Sequence, residues 1–107
     1  MTIIRTAFFE ADLNNEEKID FYNYMEKEVA PIIRTFPGNK GVVLSKPEFI
    51  ESERHQSVIL MMQHSYENKN AMEQALNSQQ RIASMNATKI IVEKYNLRVH
   101  HMNFMVE

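Results

Sequence analysis

The segment Ser57–Tyr66 constrains this chain more than any other stretch of it. It reads as a β-strand with Val58, Leu60 and Met62 on one face and Ile59 and Met61 on the other. Successive strand side chains point to opposite sides of a sheet. A strand that is apolar on both therefore belongs to a sheet covered on both sides, and the rest of the chain has to supply two covers.

The flanking segments alternate between the two periodicities. Ile3–Phe9, rich in Ile, Thr and Phe, reads as a first strand. Asn14 followed by Glu17 has the form of a capping box, and Tyr22, Met25, Val29, Ile32 and Phe36 then recur at steps of three and four, the apolar stripe of a helix. Pro31 is predicted to kink that helix or mark its last turn, and Pro37-Gly38 closes it. Gly41–Leu44 begins a second strand, which Pro47 confines to an edge or bulge, and Glu51–His55 forms a hairpin loop. From Asn68 to Lys94 helical spacing returns through Met72, Leu76, Ile82, Met85 and Ile90, with a break near Ser78. Leu97–Val106 is a final strand. Two glycines and three prolines leave little room for long loops.

Strand, helix, strand, strand, helix, strand is the ferredoxin-like βαββαβ order. It predicts an α+β fold over residues 1–107 as one domain, with a four-stranded antiparallel sheet and helices on one face. Right-handed crossovers set the third strand beside the first, and the fourth on the first strand's other side. Two helices cover only one sheet face. The other face is too apolar to stay wet, and face-to-face pairing with a second copy predicts a homodimer.

Charge and composition remove several function classes. Lys and Arg number 12 against 14 Asp and Glu, a formal net charge of −2 with no basic block, which argues against a nucleic-acid partner. The longest apolar run, Val58–Met62, falls far short of the ~20 residues that span a bilayer. Arg5, Glu10 and Asp12 interrupt any apolar core of a signal peptide, so a cytoplasmic protein with no membrane partner is expected. The absence of cysteine excludes disulfides, thiolate metal sites and a Cys nucleophile.

Four histidines carry most of the remaining chemistry. His55 falls in the hairpin loop and reads as solvated. His64 lies near the end of the third strand, and the adjacent His100 and His101 on the fourth must face opposite sides of the sheet. With the third strand laid parallel to the first, His64 comes near Phe8–Glu10. One of the paired histidines, Glu10 and Tyr66 then converge on the same end. Such a cluster suits general acid–base catalysis near neutral pH, with His64 as base and His100 or His101 as its partner. Satisfied structural histidines are the plainer alternative. A metal site of His64, a paired histidine and Glu10 has suitable ligand types but no dense spacing motif, and none is expected. Arg5, mid-strand in a central element, must be paired or lead to solvent. It anchors a substrate carboxylate or enolate, or pairs with an acid across a dimer interface. Tyr22, on the first helical stripe, either orients a phenolic substrate or is a capped core tyrosine. Eight methionines suit an adaptable apolar pocket or serve as core filler.

Three stretches carry a family resemblance: Pro37-Gly38-Asn39-Lys40-Gly41-Val42-Val43 with Lys46-Pro47, Ser65 through Met72, and Ala75-Leu76-Asn77-Ser78-Gln79-Gln80. Together they resemble the dimeric α/β-barrel superfamily, most closely its EthD-like branch. Gln79-Gln80 stands where that branch usually has Pro-Glu, and Asn86–Lys89 lacks the acidic residue that often follows. The resemblance implies a small cofactor-independent enzyme of monooxygenase or cyclase type acting on an apolar, oxygenated, aromatic or polyketide-like small molecule between sheet and helices. It equally implies a non-catalytic ligand-binding or stress-associated homodimer, because the superfamily also contains haem-degrading enzymes and proteins with no assigned activity. Fold alone does not choose among them.

Overall fold

The computed structural model describes residues 1–107. Strands β1 (Thr2–Glu10), β2 (Val42–Ser45), β3 (Val58–Tyr66) and β4 (Arg98–Val106) form one antiparallel sheet in the order β2-β3-β1-β4. Helices α1 (Asn15–Tyr24) and α2 (Ala30–Ile33) lie between β1 and β2. Helices α3 (Lys69–Leu76) and α4 (Gln79–Tyr95) lie between β3 and β4. This is the expected ferredoxin-like α+β arrangement, with the short β2 at one edge and β4 at the other.

The direction of β3 corrects the expected placement of His64. A helical crossover returns β2 parallel to β1, and the connection from Lys46 to Ser57 then sends β3 back the other way. β3 is therefore antiparallel to β1, with Arg5 opposite His64 and Glu10 opposite Val58. Phe9 pairs with Leu60 and Glu10 with Val58, so Ile59 is an extra residue in a β-bulge. The bulge turns Val58 to the sheet's outer face, away from Leu60 and Met62, while Ile59 and Leu60 are both buried. The Ile59 carbonyl accepts the Tyr22 hydroxyl at 2.8 Å.

Local chemistry accounts for the helices. The Asn14 side chain accepts from the Glu17 amide at 2.9 Å and the Asn14 amide donates to the Glu17 carboxylate at 3.0 Å, completing the capping box. Pro31 has no N–H to give, and the chain meets it with a π-helical turn over Met25–Val29 before α2 resumes with Pro31 in its first turn. The wide turn rotates the apolar face, so the buried stripe is Phe21, Met25, Val29, Ile33 and Phe36 rather than one through Tyr22 and Ile32. The break near Ser78 is present, with Ser78 capping α4. Asn96 ends that helix in the left-handed conformation at φ 52°, one of the few conformations asparagine tolerates better than most residues.

The core lies between the sheet and the helices, around Phe9, Phe21, Met25 and Leu60, with Met72 and Ala75 of α3 and Ile91 of α4 joining it. Phe9 and Phe21 pack with ring centroids 5.7 Å apart. No helix is long and apolar enough to cross a membrane. Phe21 is fully buried, so Phe21→Ala should destabilise the protein by about 3–5 kcal/mol in urea denaturation. Asn14→Ala, at the exposed cap, should cost about 1 kcal/mol.

Candidate functional site

Along β1, Ile3, Arg5, Ala7 and Phe9 face the helices, and Ile4, Thr6, Phe8 and Glu10 face the opposite way, which follows from strand alternation. Two cross-strand rows define the helix-facing floor. In one, Asn103, Arg5, His64 and Val42 stand side by side; in the next, His101, Ala7, Met62 and Leu44 do so. Ala7 is the smallest residue of its row and leaves space between the two histidines. Above it lies a cavity of about 420 Å³, floored by Ala7, Phe9 and Met62 and walled by Arg5, His64 and His101.

His64 is buried at 6% exposure. Its Nδ1 lies 2.7 Å from the Tyr66 hydroxyl, and the Phe36 ring meets the imidazole edge-on at 5.7 Å. Burial disfavours the imidazolium and the neighbouring Arg5, His101 and Arg81 repel it, so its pKa falls to about 4. His101 also falls to about 4, by burial and then by Arg5 and Arg81. His101 stands on an edge strand and is open to solvent on one side, so His64 is the more firmly neutral of the two. Tyr66 is pushed up to about 12, chiefly by burial, and stays protonated. Burial and Arg81 lower the Arg5 pKa. Arg5 donates to the Asn103 side-chain oxygen at 3.2 Å.

The expected residues thus divide into three groups. Arg5, His64, Tyr66 and His101 come together on the helix side. His100 and Glu10 do not join them: both point to the outer face, where His100 Nε2 meets a Glu10 carboxylate oxygen at 2.5 Å. The idea that His64, a paired histidine and Glu10 converge at one sheet end fails, because antiparallel β3 carries His64 to the Arg5 row. The sheet lies between His64 and Glu10, so these residues form no common metal site. Tyr22 is elsewhere again, bonded to the Ile59 carbonyl with the Lys46 ammonium 4.4 Å from its ring centroid. Burial raises the Tyr22 pKa.

Sequence reasoning missed Arg81 and Ser84. It followed Ile82, Met85 and Ile90 as the buried stripe of α4, whereas all three are exposed. The cavity is instead roofed by Arg81, Ser84, Met85, Thr88 and Val92, of which Met85 lies at its open margin. The signal was present as a mixed polar stripe at spacings of three and four. Apolar periodicity passes over such a stripe. The Ser84 hydroxyl is tied to the Arg81 carbonyl at 2.9 Å, and an Arg81 guanidinium nitrogen donates to the Leu76 carbonyl at 3.2 Å.

No protein-family model matches the sequence, and no curated protein matches it either. Solved structures do match, and they are ferredoxin-like α/β-barrel proteins, among them the EthD type that the sequence resembles. An EthD family protein of Bacillus halodurans aligns over 100% of both chains with a TM-score of 0.78 at 18% identity. A dimeric ferredoxin-like protein of unknown function from Bacteroides fragilis covers 98% of this chain and 96% of its own, with a TM-score of 0.71 at 9% identity. SnoaB, a cofactor-independent oxygenase from Streptomyces nogalater, covers 99% and 93% with a TM-score of 0.67 at 12% identity. At these identities the likeness is one of fold.

The neutral histidine has a consequence for stability. Below the ordinary imidazole value of 6.5 the unfolded chain takes up a proton that native His64 refuses until about pH 4. The native state binds fewer protons in that window, so the unfolding free energy falls as pH drops through it. Denaturant titrations between those limits should show the decline, and His64→Gln should reduce it, leaving the share that the similarly depressed His101 contributes.

Proposed function

We propose that this protein is a homodimer that binds an apolar, oxygenated small molecule between helices and sheet and acts on it by cofactor-independent proton transfer or oxygenation. The observation that carries the reading is the neutral His64, held by Tyr66 at the wall of a roughly 420 Å³ cavity with an apolar floor. That volume lies within the usual range of small-molecule sites. When His64 Nδ1–H donates to the Tyr66 oxygen, Nε2 is left as a proton acceptor, and the fully buried Tyr66 orients the imidazole from beneath the cavity wall. His101 across Ala7 is a second proton carrier, and Arg5 is placed to steady an enolate. With an anthrone-type substrate, His64 would take the acidic C–H proton. The carbanion would add dioxygen to give a peroxide, and loss of water would leave the quinone. SnoaB, a cofactor-independent oxygenase, shares the fold.

The second reading, a binding protein without catalysis, draws on the same imidazole. A pKa of about 4 makes His64 a ready but weak base. Anthrone in aerated buffer with no added metal or flavin separates the two. Oxygen uptake that falls about 100-fold or more in His64→Ala supports catalysis. Binding without turnover supports the carrier, and neither binding nor turnover, for anthrone and for phenolic or 1,3-diketone analogues, overturns the site.

The dimer rests on the outer sheet face. Val43, Met102, Phe104 and Val106 lie there at 57%, 52%, 45% and 46% exposure, flanking Ile4, Phe8 and Met61. A patch of this kind is large for a monomer, and a second copy covers it with closed two-fold symmetry. Similar solved structures described as dimeric support the reading. Sedimentation should show a species of about twice the 12.6 kDa chain mass, and Met102→Glu with Phe104→Glu should return it to the monomer.

A further inference from the structure

The cavity carries an unbalanced charge. Of the residues lining it, Arg5, Arg81 and Lys89 are cationic, and none is Asp or Glu. Lys89 is answered by Glu93 at 3.8 Å. The two arginines are not: the structure's ion pairs involve Lys69, Lys89, Lys94 and His100 only. Arg5 has a single neutral acceptor, the Asn103 side chain, and Arg81 has the Leu76 carbonyl. A second copy seated on the outer face does not reach Arg5, because the sheet itself intervenes. Partly buried guanidinium groups without a counter-charge are costly unless something of opposite sign shares their site.

From this arrangement we infer that the cavity takes an anionic ligand, with a planar delocalised oxyanion (a carboxylate, or the enolate of an acidic ketone or phenol) between Arg5 and Arg81 and an apolar ring system over Ala7, Phe9 and Met62. The inference rests on the proposed small-molecule site and gives its ligand a charge class. Arginine suits such a group better than lysine, because its planar fork matches two oxygens at once. Arg5 rises from the sheet floor and Arg81 descends from the first turn of α4, so the anion would join the two layers. An anion there would also offset the field that the arginines exert on His64 and His101, the part of their depression that does not come from burial, so both imidazoles would be more basic beside an anionic ligand than beside a neutral one of the same shape.

The test compares 2-naphthoate with 2-naphthamide, which share a ring system and differ in charge. Naphthoate should bind about tenfold more tightly at low salt. Arg5→Gln and Arg81→Gln should each remove most of that preference, read as the ratio of naphthoate to naphthamide affinity in the same variant, and Arg5→Lys and Arg81→Lys should recover part of it. Arg81 lies outside the core, so Arg81→Gln carries the comparison if Arg5→Gln does not fold. In ¹⁵N-labelled protein the His64 and His101 titration midpoints should lie higher with naphthoate bound than with naphthamide bound. Equal affinity for the two compounds overturns the charge class and leaves the cleft as a neutral apolar site. A naphthoate preference that survives replacement of both arginines also overturns it. If neither compound binds, the small-molecule site itself fails and the inference fails with it.

Discussion

Arg5 stands opposite His64 on one side and Asn103 on the other because β1 is hydrogen-bonded antiparallel along both of its edges. That double pairing governs the rest of the molecule. Side chains alternate between faces along each strand, so the register of β1 decides which of them enter the helix-side cleft and which meet whatever lies beyond the sheet. A slip of one residue would exchange His101 for His100 and would put Glu10 where Phe9 now lies in the core. The Ile59 bulge, capped by the Tyr22 hydroxyl, absorbs the one irregularity at the strand end and leaves the Arg5 and Ala7 rows intact.

The two sheet faces have accordingly taken different chemistry. The helix side combines a small floor residue, two depressed histidines, a protonated tyrosine and two unanswered guanidinium groups. The outer side combines large exposed apolar residues with a polar end in which Arg98 donates to the Ser57 hydroxyl, Ser57 to Glu10, and Glu10 pairs with His100. The first face has the makings of a site for a small charged molecule, and the second those of a surface for another sheet. The two faces share one layer of backbone, and adjacent residues such as His100 and His101 serve one face each.

Helix α4 is where local preference and tertiary placement part most clearly. Its apolar residues Ile82 and Ile90 face solvent, and the residues it turns toward the sheet include Arg81, Ser84 and Thr88. Only Ile91 of its isoleucines is buried in the core. The inversion fits a helix that roofs a cavity, because the groups it turns inward have polar partners or empty space before them.

The element order, the antiparallel sheet, the capping box at Asn14, the helix break at Ser78 and the apolar outer face were all legible in the chain. Each depends on periodicity, capping or turn chemistry within a few residues. That His100 and His101 lie on opposite faces was legible for the same reason. Which of them enters the cleft was not, and neither was the meeting of His64 with Arg5 instead of Glu10, since both depend on strand direction and register between segments some sixty to ninety-five residues apart in sequence. Arg81 was invisible because a polar helix stripe gains meaning only when the space beneath it is known. The chain itself determined the elements, their caps and their breaks, because those are local free energies. Tertiary structure alone decided which charges share a cavity, because that is set by which strands hydrogen-bond to which.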